Sequence, residues 1–138
     1  MWEARAETET TAPSDAVWAL WDDPRRWRDW HPQIAAVRGE GPLRVGAEAR
    51  IRFRGSPRAL RFRVTGYEPG RRLTDEARLP GARLGHEHRV EPRGEGSLIA
   101  HRVWFDGPAA RLYGALMGRR MTASVREFGP RERAHVEP

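Results

Sequence analysis

The sequence predicts an α+β fold: a curved seven-stranded antiparallel sheet wrapped around one long C-terminal helix, with two short helices after the first strand. Three observations carry this. Apolar and charged residues alternate at period two through most of the chain. Short Gly- and Pro-containing stretches ("GEGP", "RGSP", "EPGR", "LPGA", "RGEG") separate the alternating runs. A Pro-free run with helical spacing, "PAARLYGALMGRRMTASVREF", opens at Pro108 and lasts until Pro130.

Residues 2–10 set Trp2, Ala4, Ala6 and Thr8 against Glu3, Arg5, Glu7 and Glu9, a first strand with one charged face. "TAPSDAVWALWDDPRRWRDWHP" follows. Pro13 suits a first helical turn, with Ser14 and the favourable charge of Asp15 behind it. Val17, Trp18, Leu20 and Trp21 supply the apolar stripe. Asp23 and Pro24 restart a second short helix as N-cap and N1, and Pro32 ends it. Trp18, Trp21, Trp27 and Trp30 anchor both helices in the core. Strands are then expected at 34–40, 47–54, 58–67, 71–79, 82–92 and 97–106. In the final helix Ala109, Leu112, Tyr113, Leu116, Met117, Met121, Val125 and Phe128 form the apolar face, with Arg120 and Ser124 near its middle.

At 138 residues the chain reads as one domain, 1–138, with no repeat or linker. It has no cysteine, hence no disulfide, thiolate metal site or cysteine nucleophile. No apolar run is long enough to span a membrane and the charged N-terminus is unlike a signal peptide, so the expected location is cytoplasmic, as a monomer or homodimer. The net charge of +6 and pI near 11.2 do not mark a specific nucleic-acid binder. All 25 basic residues are arginine, as a GC-rich bacterial genome would encode them, and they alternate with apolar residues in "RIRFRG" and "LRFRV". That pattern is the solvated face of strands.

The chemistry lies in "RLGHEHRVEP". His86 and His88 are two apart, so they share a sheet face with Val90 while Glu87, Arg89 and Glu91 take the other. On the last strand Ile99, Val103 and Phe105 fix the inward parity, and His101 shares it. Pairing Val90 with Ile99 across a loop at 93–96 sets His88 opposite His101. A two-residue turn at Pro80-Gly81 sets Leu79 opposite Ala82 and Asp75 opposite His86. The interior is thus expected to hold Asp75, His86, His88, His101, Arg120 and Tyr113 among Phe53, Phe62, Phe105 and Met117, with an Asp75–His86 hydrogen bond fixing the imidazole. His31 and His135 read as surface residues, the latter in a frayed tail.

The segment "APSDAVWALWDDPRRWRDWHP" resembles the opening of START-like domains of the polyketide cyclase/dehydrase type, within the SRPBCC superfamily. Ala12, Pro13, Val17, Trp18, Leu20, Asp23, Pro24, Trp27, Trp30 and Pro32 carry the match. "GPLRVGAEARIRFRG" (41–55), "YEPGRRL" (67–73) and "GSLIAHRVWFDGP" (96–108) resemble the family's later landmarks. The resemblance implies a helix-grip cavity between sheet and helix and no universal catalytic residue, because the fold hosts aromatase/cyclases, lipid and hormone carriers, allergens and co-chaperones.

Several functions compete. One is structural, with hydrogen-bonded core histidines and an Arg120 that is paired or snorkelling. Another is binding of a small hydrophobic or aromatic ligand, lipid- or polyketide-like, whose carboxylate or phenol is oriented by His86, His88, His101 and Arg120. A third is a polyketide cyclase, aromatase or dehydratase. It would draw its base from His86, His88, His101 or Asp75, with Arg120 or Tyr113 stabilising an enolate. A protein-interaction role has only the arginine-rich exterior to support it. Three histidines and an aspartate could ligate a metal, but His86 and His88 are about 6.5 to 7 Å apart along a strand. The expectation is ligand binding, with catalysis as the alternative and with no metal and no cofactor.

Overall fold

The computed structural model describes residues 1–39 and 41–137. Its elements are β1 (Trp2–Thr10), α1 (Ser14–Trp21), a 3-10 turn (Pro24–Arg26) running into α2 (Trp27–Trp30), β2 (Ile34–Gly39), β3 (Glu48–Phe53), β4 (Leu60–Glu68), β5 (Arg72–Leu79), β6 (Ala82–Arg93), β7 (Gly96–Asp106) and α3 (Ala110–Val136). The strands form one antiparallel sheet in the order β1-β7-β6-β5-β4-β3-β2. This is the helix-grip arrangement expected. Glu40, at the end of the strand expected over 34–40, lies outside the described residues.

The period-two pattern became strands with one buried face. Along β4, Phe62 and Val64 are buried while Arg61 and Arg63 are exposed. The inner hairpins have the expected register: His88 faces His101, Val90 faces Ile99, Asp75 faces His86 and Leu79 faces Ala82. The β6–β7 turn is tighter than the loop expected at 93–96, because Arg93 still pairs with Gly96 and only Gly94 and Glu95 turn the chain. Gly94 takes φ of 58°, a left-handed conformation that costs glycine little. Irregularities between Val64 and Gly66 and between Ile34 and Ala36 bend the outer strands.

Between β1 and β2, Asp23 accepts a hydrogen bond from the Arg25 amide at 3.0 Å and Pro24 opens the turn, as its sequence signals require. Trp18, Trp21, Trp27 and Trp30 are all buried. The indole Nε1 of Trp27 donates to the Trp21 carbonyl at 2.7 Å, tying α2 to α1.

α3 departs from expectation in two ways. It continues through Pro130 to Val136 instead of stopping short of the proline. A mid-helix proline forfeits one hydrogen bond and crowds the carbonyl four residues back. Here the last turns are anchored from outside. Glu132 is fully buried, and Glu137 accepts from Thr10 Oγ1 at 2.8 Å and from the Thr11 amide at 3.0 Å. His135 is therefore exposed but not frayed, since its Nε2 donates to the Asp29 carbonyl at 3.0 Å.

The second departure is the orientation of the first half of α3. Gly114 and Gly118 lie against the Trp2 side chain, which turns Leu112 and Leu116 outward, 61% and 74% exposed, despite their place in the apolar stripe. The second half packs Val125, Phe128 and Glu132 inward. At Gly129 the helix crosses β1 so closely that an added Cβ would fall 2.0 Å from Thr8 Oγ1 and 2.5 Å from Thr8 Cβ. Gly129→Ala is expected to destabilise the protein by roughly 2–3 kcal/mol, the upper part of the overpacking range, despite alanine's better helix propensity. Urea unfolding checks this; an unchanged midpoint would mean the helix can shift freely there.

Candidate functional site

The concave face of the sheet and the inner side of α3 enclose a cavity of about 310 Å³. Phe53, Phe62, Val103 and Phe105 form its sheet wall, and Tyr113, Met117 and Met121 its helix wall. At its inner end stand Asp75, His86, His88, His31 and Phe128. Parity explains most of this: β5, β6 and β7 each turn alternate side chains inward, and β5 and β6 place their polar ones at the same level.

The imidazoles are packed together. His86 and His88 stack at 3.7 Å between ring centroids, with planes 20° apart. Phe128 covers His86 at 5.0 Å, and Trp30 lies within about 6 Å of all three strand histidines. His86 Nε2 is hydrogen-bonded to His101 Nδ1 at 2.8 Å, and His101 Nε2 to Glu132 Oε1 at 2.7 Å. Glu132 Oε2 accepts from the Trp21 indole N–H. His88 Nδ1 donates to the Leu73 carbonyl at 3.0 Å, which leaves its Nε2 as the lone-pair nitrogen.

Burial sets the charges. It lowers the His101 pKa to about 3 and holds those of His86 and His88 well below the usual imidazole range, where mutual repulsion adds to it. His31 is lowered to about 3 by burial, reinforced by His88 and His101. Burial, helped by the Glu76 charge, raises Asp75 to about 8. Burial also holds Glu132 well above the usual carboxylate range. At neutral pH the imidazoles of the site are therefore neutral and Asp75 is protonated.

Of the expected site residues, Phe53, Phe62, Phe105, Met117, Tyr113, Asp75, His86 and His88 line the cavity. Others differ from expectation. The Asp75–His86 hydrogen bond is not formed, although the two residues are opposite in register. The His86 ring reaches His101 instead, and Asp75 Oδ2 is 3.9 Å from His88 Nδ1, a nitrogen already committed to Leu73. Among the described residues the Asp75 carboxyl has no hydrogen-bond partner and faces the cavity. His101 stands behind His86, away from the cavity surface. Arg120 is an exposed rim residue rather than an interior one, with no ion pair among the described residues. The Tyr113 hydroxyl donates to the Pro80 carbonyl at 2.9 Å, so it is occupied at the β5–β6 turn.

Two residues went unread. His31, expected at the surface, packs on Phe128 at 4.4 Å between centroids and lines the cavity. Glu132 lies four residues beyond Phe128; carrying the stripe of Met121, Val125 and Phe128 through Pro130 would have found it.

His86, His88 and His101 are also the residues that could hold a metal, since they offer nitrogens within 4.8 Å of one another. Two nitrogens on a tetrahedral ion would be about 3.4 Å apart, given metal–nitrogen bonds near 2.0–2.1 Å. The 2.8 Å between His86 and His101 is instead a hydrogen bond with a proton on its axis.

The family described as polyketide cyclase/dehydrase and lipid transport matches residues 1–136. The chain belongs to this family. Among solved structures, this polyketide cyclase/dehydrase family member is similar to DynU16, a protein of the dynemicin biosynthetic locus, at 21% identity and a TM-score of 0.72. The similarity covers 98% of this chain and 47% of DynU16. The di-domain ARO/CYC BexL of the BE-7585A biosynthetic pathway matches at 16% identity and a TM-score of 0.76, over 100% of this chain and 48% of BexL. This family member thus spans about half the length of those two proteins. A hypothetical protein of Helicobacter pylori superposes with a TM-score of 0.82 at 13% identity, covering 98% and 88% of the two chains. No curated protein matches the chain. At these identities the neighbours establish the START-like fold. No helix of the described residues is long and apolar enough to cross a membrane.

Proposed function

We propose that the chain binds a small hydrophobic or aromatic ligand, lipid- or polyketide-like, in the cavity between sheet and α3. The observation that carries this is an apolar space of about 310 Å³ ending on an uncharged polar floor of Asp75 and His86. That volume is at the lower end of small-molecule pockets, enough for two or three fused rings or a short acyl chain. The family's description and the biosynthetic setting of DynU16 and BexL support a ligand of this kind.

The floor also selects the ligand's polar atom. A carboxylate brought against a protonated Asp75 and neutral imidazoles would lose its hydration without gaining an opposite charge. A phenol or ketone oxygen can instead accept from the Asp75 O–H. The only cation beside the cavity among the described residues apart from Arg54 is Arg120, which can meet a charged group at the rim. Fluorescence titration is expected to show 2-naphthol binding at least tenfold more tightly than 2-naphthoate, and Arg120→Ala to weaken only the naphthoate. No binding of either would refute the cavity reading. Equal losses for both in Arg120→Ala would show that Arg120 serves no charged group.

A second reading, cyclase, aromatase or dehydratase catalysis, is favoured by one feature. The Nδ1 of His86 has no partner among the described residues, and Asp75, opposite His86 in register, lines the same cavity. A protonated acid and a nitrogen that accepts a proton when the His86 hydrogen is on Nε2 thus line one cavity, the pairing that enolisation of a bound ketone needs.

A further inference from the structure

We infer that Glu132, His101 and His86 form a proton relay that exchanges one proton between the buried Glu132 carboxyl and an acidic C–H or O–H of a ligand in the cavity. This rests on the cavity reading proposed above. Two linked hydrogen bonds, 2.7 Å and 2.8 Å, connect an acid outside the cavity to a ring inside it. His101 has both nitrogens bound, so its tautomer cannot change alone. When Glu132 is protonated, Oε1–H donates to His101 Nε2. The remaining proton of His101 is then on Nδ1 and donates to His86 Nε2. His86 in turn carries its proton on Nδ1, facing the cavity. Releasing that proton to a ligand moves His101's proton onto His86 Nε2 and Glu132's proton onto His101 Nε2. The Glu132 carboxylate that remains accepts from His101 Nε2–H and Trp21 Nε1–H. In this second form His86 Nδ1 is a base: it takes a proton from the ligand, and the same three steps run backward. One proton enters or leaves the ligand, and one leaves or enters the carboxyl.

The relay resolves an electrostatic difficulty. A lone cavity histidine acting as base must become an imidazolium in apolar surroundings, which burial strongly opposes. With the relay both rings remain neutral throughout, and the change of charge falls on a carboxylate with two donors already aimed at it. The groups facing these rings add no fixed charge to compete. Asp75 on β5 is protonated, His88 on β6 is neutral and tied to Leu73, and His31 after α2 is neutral. Trp21, Trp30 and Phe128 are apolar walls. Arg120 and Arg131 on α3 are exposed to solvent.

Two measurements decide it, both on the full chain. In ¹⁵N-histidine NMR, His86 and His101 are expected to convert together from Nδ1–H to Nε2–H between pH 5 and 10, with one shared midpoint and no imidazolium signal. Glu132→Gln, whose amide can still donate to His101 and accept from Trp21, should fix both rings as Nδ1–H at every pH. Independent titration of the rings, or no conversion in the wild type, overturns the relay, whether or not the variant folds. The second measurement follows deuterium exchange at C1 of 2-tetralone, a bicyclic ketone with an acidic C–H. The wild type should accelerate exchange with a rate that follows the tautomer midpoint. His86→Ala should slow it about 100-fold, and Glu132→Gln at least 30-fold, with tetralone affinity within threefold. Failure of tetralone to bind would count against the cavity reading alone, because the NMR titration needs no ligand. Binding with exchange unaffected by Glu132→Gln would overturn the relay alone.

Discussion

A chain ending at Gly107 is expected to have no cooperative unfolding transition. The reason lies in what α3 covers. Val125 and Phe128 are 0% and 2% exposed, and burying two such side chains contributes about 3–6 kcal/mol. Their removal would also uncover the apolar surfaces they meet: Trp30 packs edge-on against Phe128, and Phe105 stacks on Tyr113. Trp21 Nε1 and His101 Nε2 would lose Glu132, leaving a buried donor without its acceptor at a cost of about 1–3 kcal/mol. These two contributions come to about 4–9 kcal/mol, comparable to a typical net stability of about 5–15 kcal/mol. The remaining sheet would expose its concave face, and urea or thermal scans should show a gradual change with aggregation. A sharp transition from a soluble truncated chain would mean that the sheet and the two short helices hold a core of their own.

The strand register was legible because two constraints acted together. A buried face fixes parity, and a tight turn fixes the sum of paired positions, so Asp75–His86 and His88–His101 followed from Pro80-Gly81 and "RGEG". The partners of the rings were not legible. Register places Cα atoms, whereas the choice between Asp75 and His101 as partner of His86 is a rotation about side-chain bonds. That rotation is settled by packing against His88 and Phe128. The end of α3 was hidden for a different reason. The local rule against mid-helix proline is sound, but it is outweighed by contacts from Glu132 and Glu137 to residues more than 30 positions away. Arg120 and Leu116 were misplaced because periodicity gives the width of a helical stripe but not the direction it faces. Gly114 and Gly118 against Trp2 set that direction. His31, just before Pro32, gave no periodic signal at all, and its contacts with Phe128, Phe53 and Trp30 turn it inward.

Stability is expected to be greatest near pH 6.5 and to fall on both sides. His31, His86, His88 and His101 have folded pKa values below the unfolded value of about 6.5, so below that pH the unfolded chain binds more protons. Their effect is to remove stability as pH falls. Asp75 and Glu132 act with opposite sign. Their folded values lie above their unfolded ones, so the folded chain holds more protons and their effect is to remove stability as pH rises, through about 8 for Asp75. Between pH 4.5 and 6.5 four histidines oppose two acids, a net of two protons, or about 2.7 kcal/mol per pH unit. Roughly 5 kcal/mol would therefore be lost on acidification from pH 6.5 to 4.5, enough to unfold a protein of modest stability. Between pH 6.5 and 8 the raised acids act in the other direction, Asp75 throughout and Glu132 for as long as its carboxyl stays protonated. Asp75→Asn separates the groups. It removes one of the two acids, so the acid limb should become about one and a half times as steep and the alkaline limb shallower. Urea midpoints measured from pH 4.5 to 8.5 would show both changes. A flat profile in the wild type would mean that these six groups are solvated in the folded protein. An alkaline limb unchanged by Asp75→Asn would assign it to Glu132, leaving Asp75 ionised at the floor of the cavity and reversing the preference for a neutral ligand.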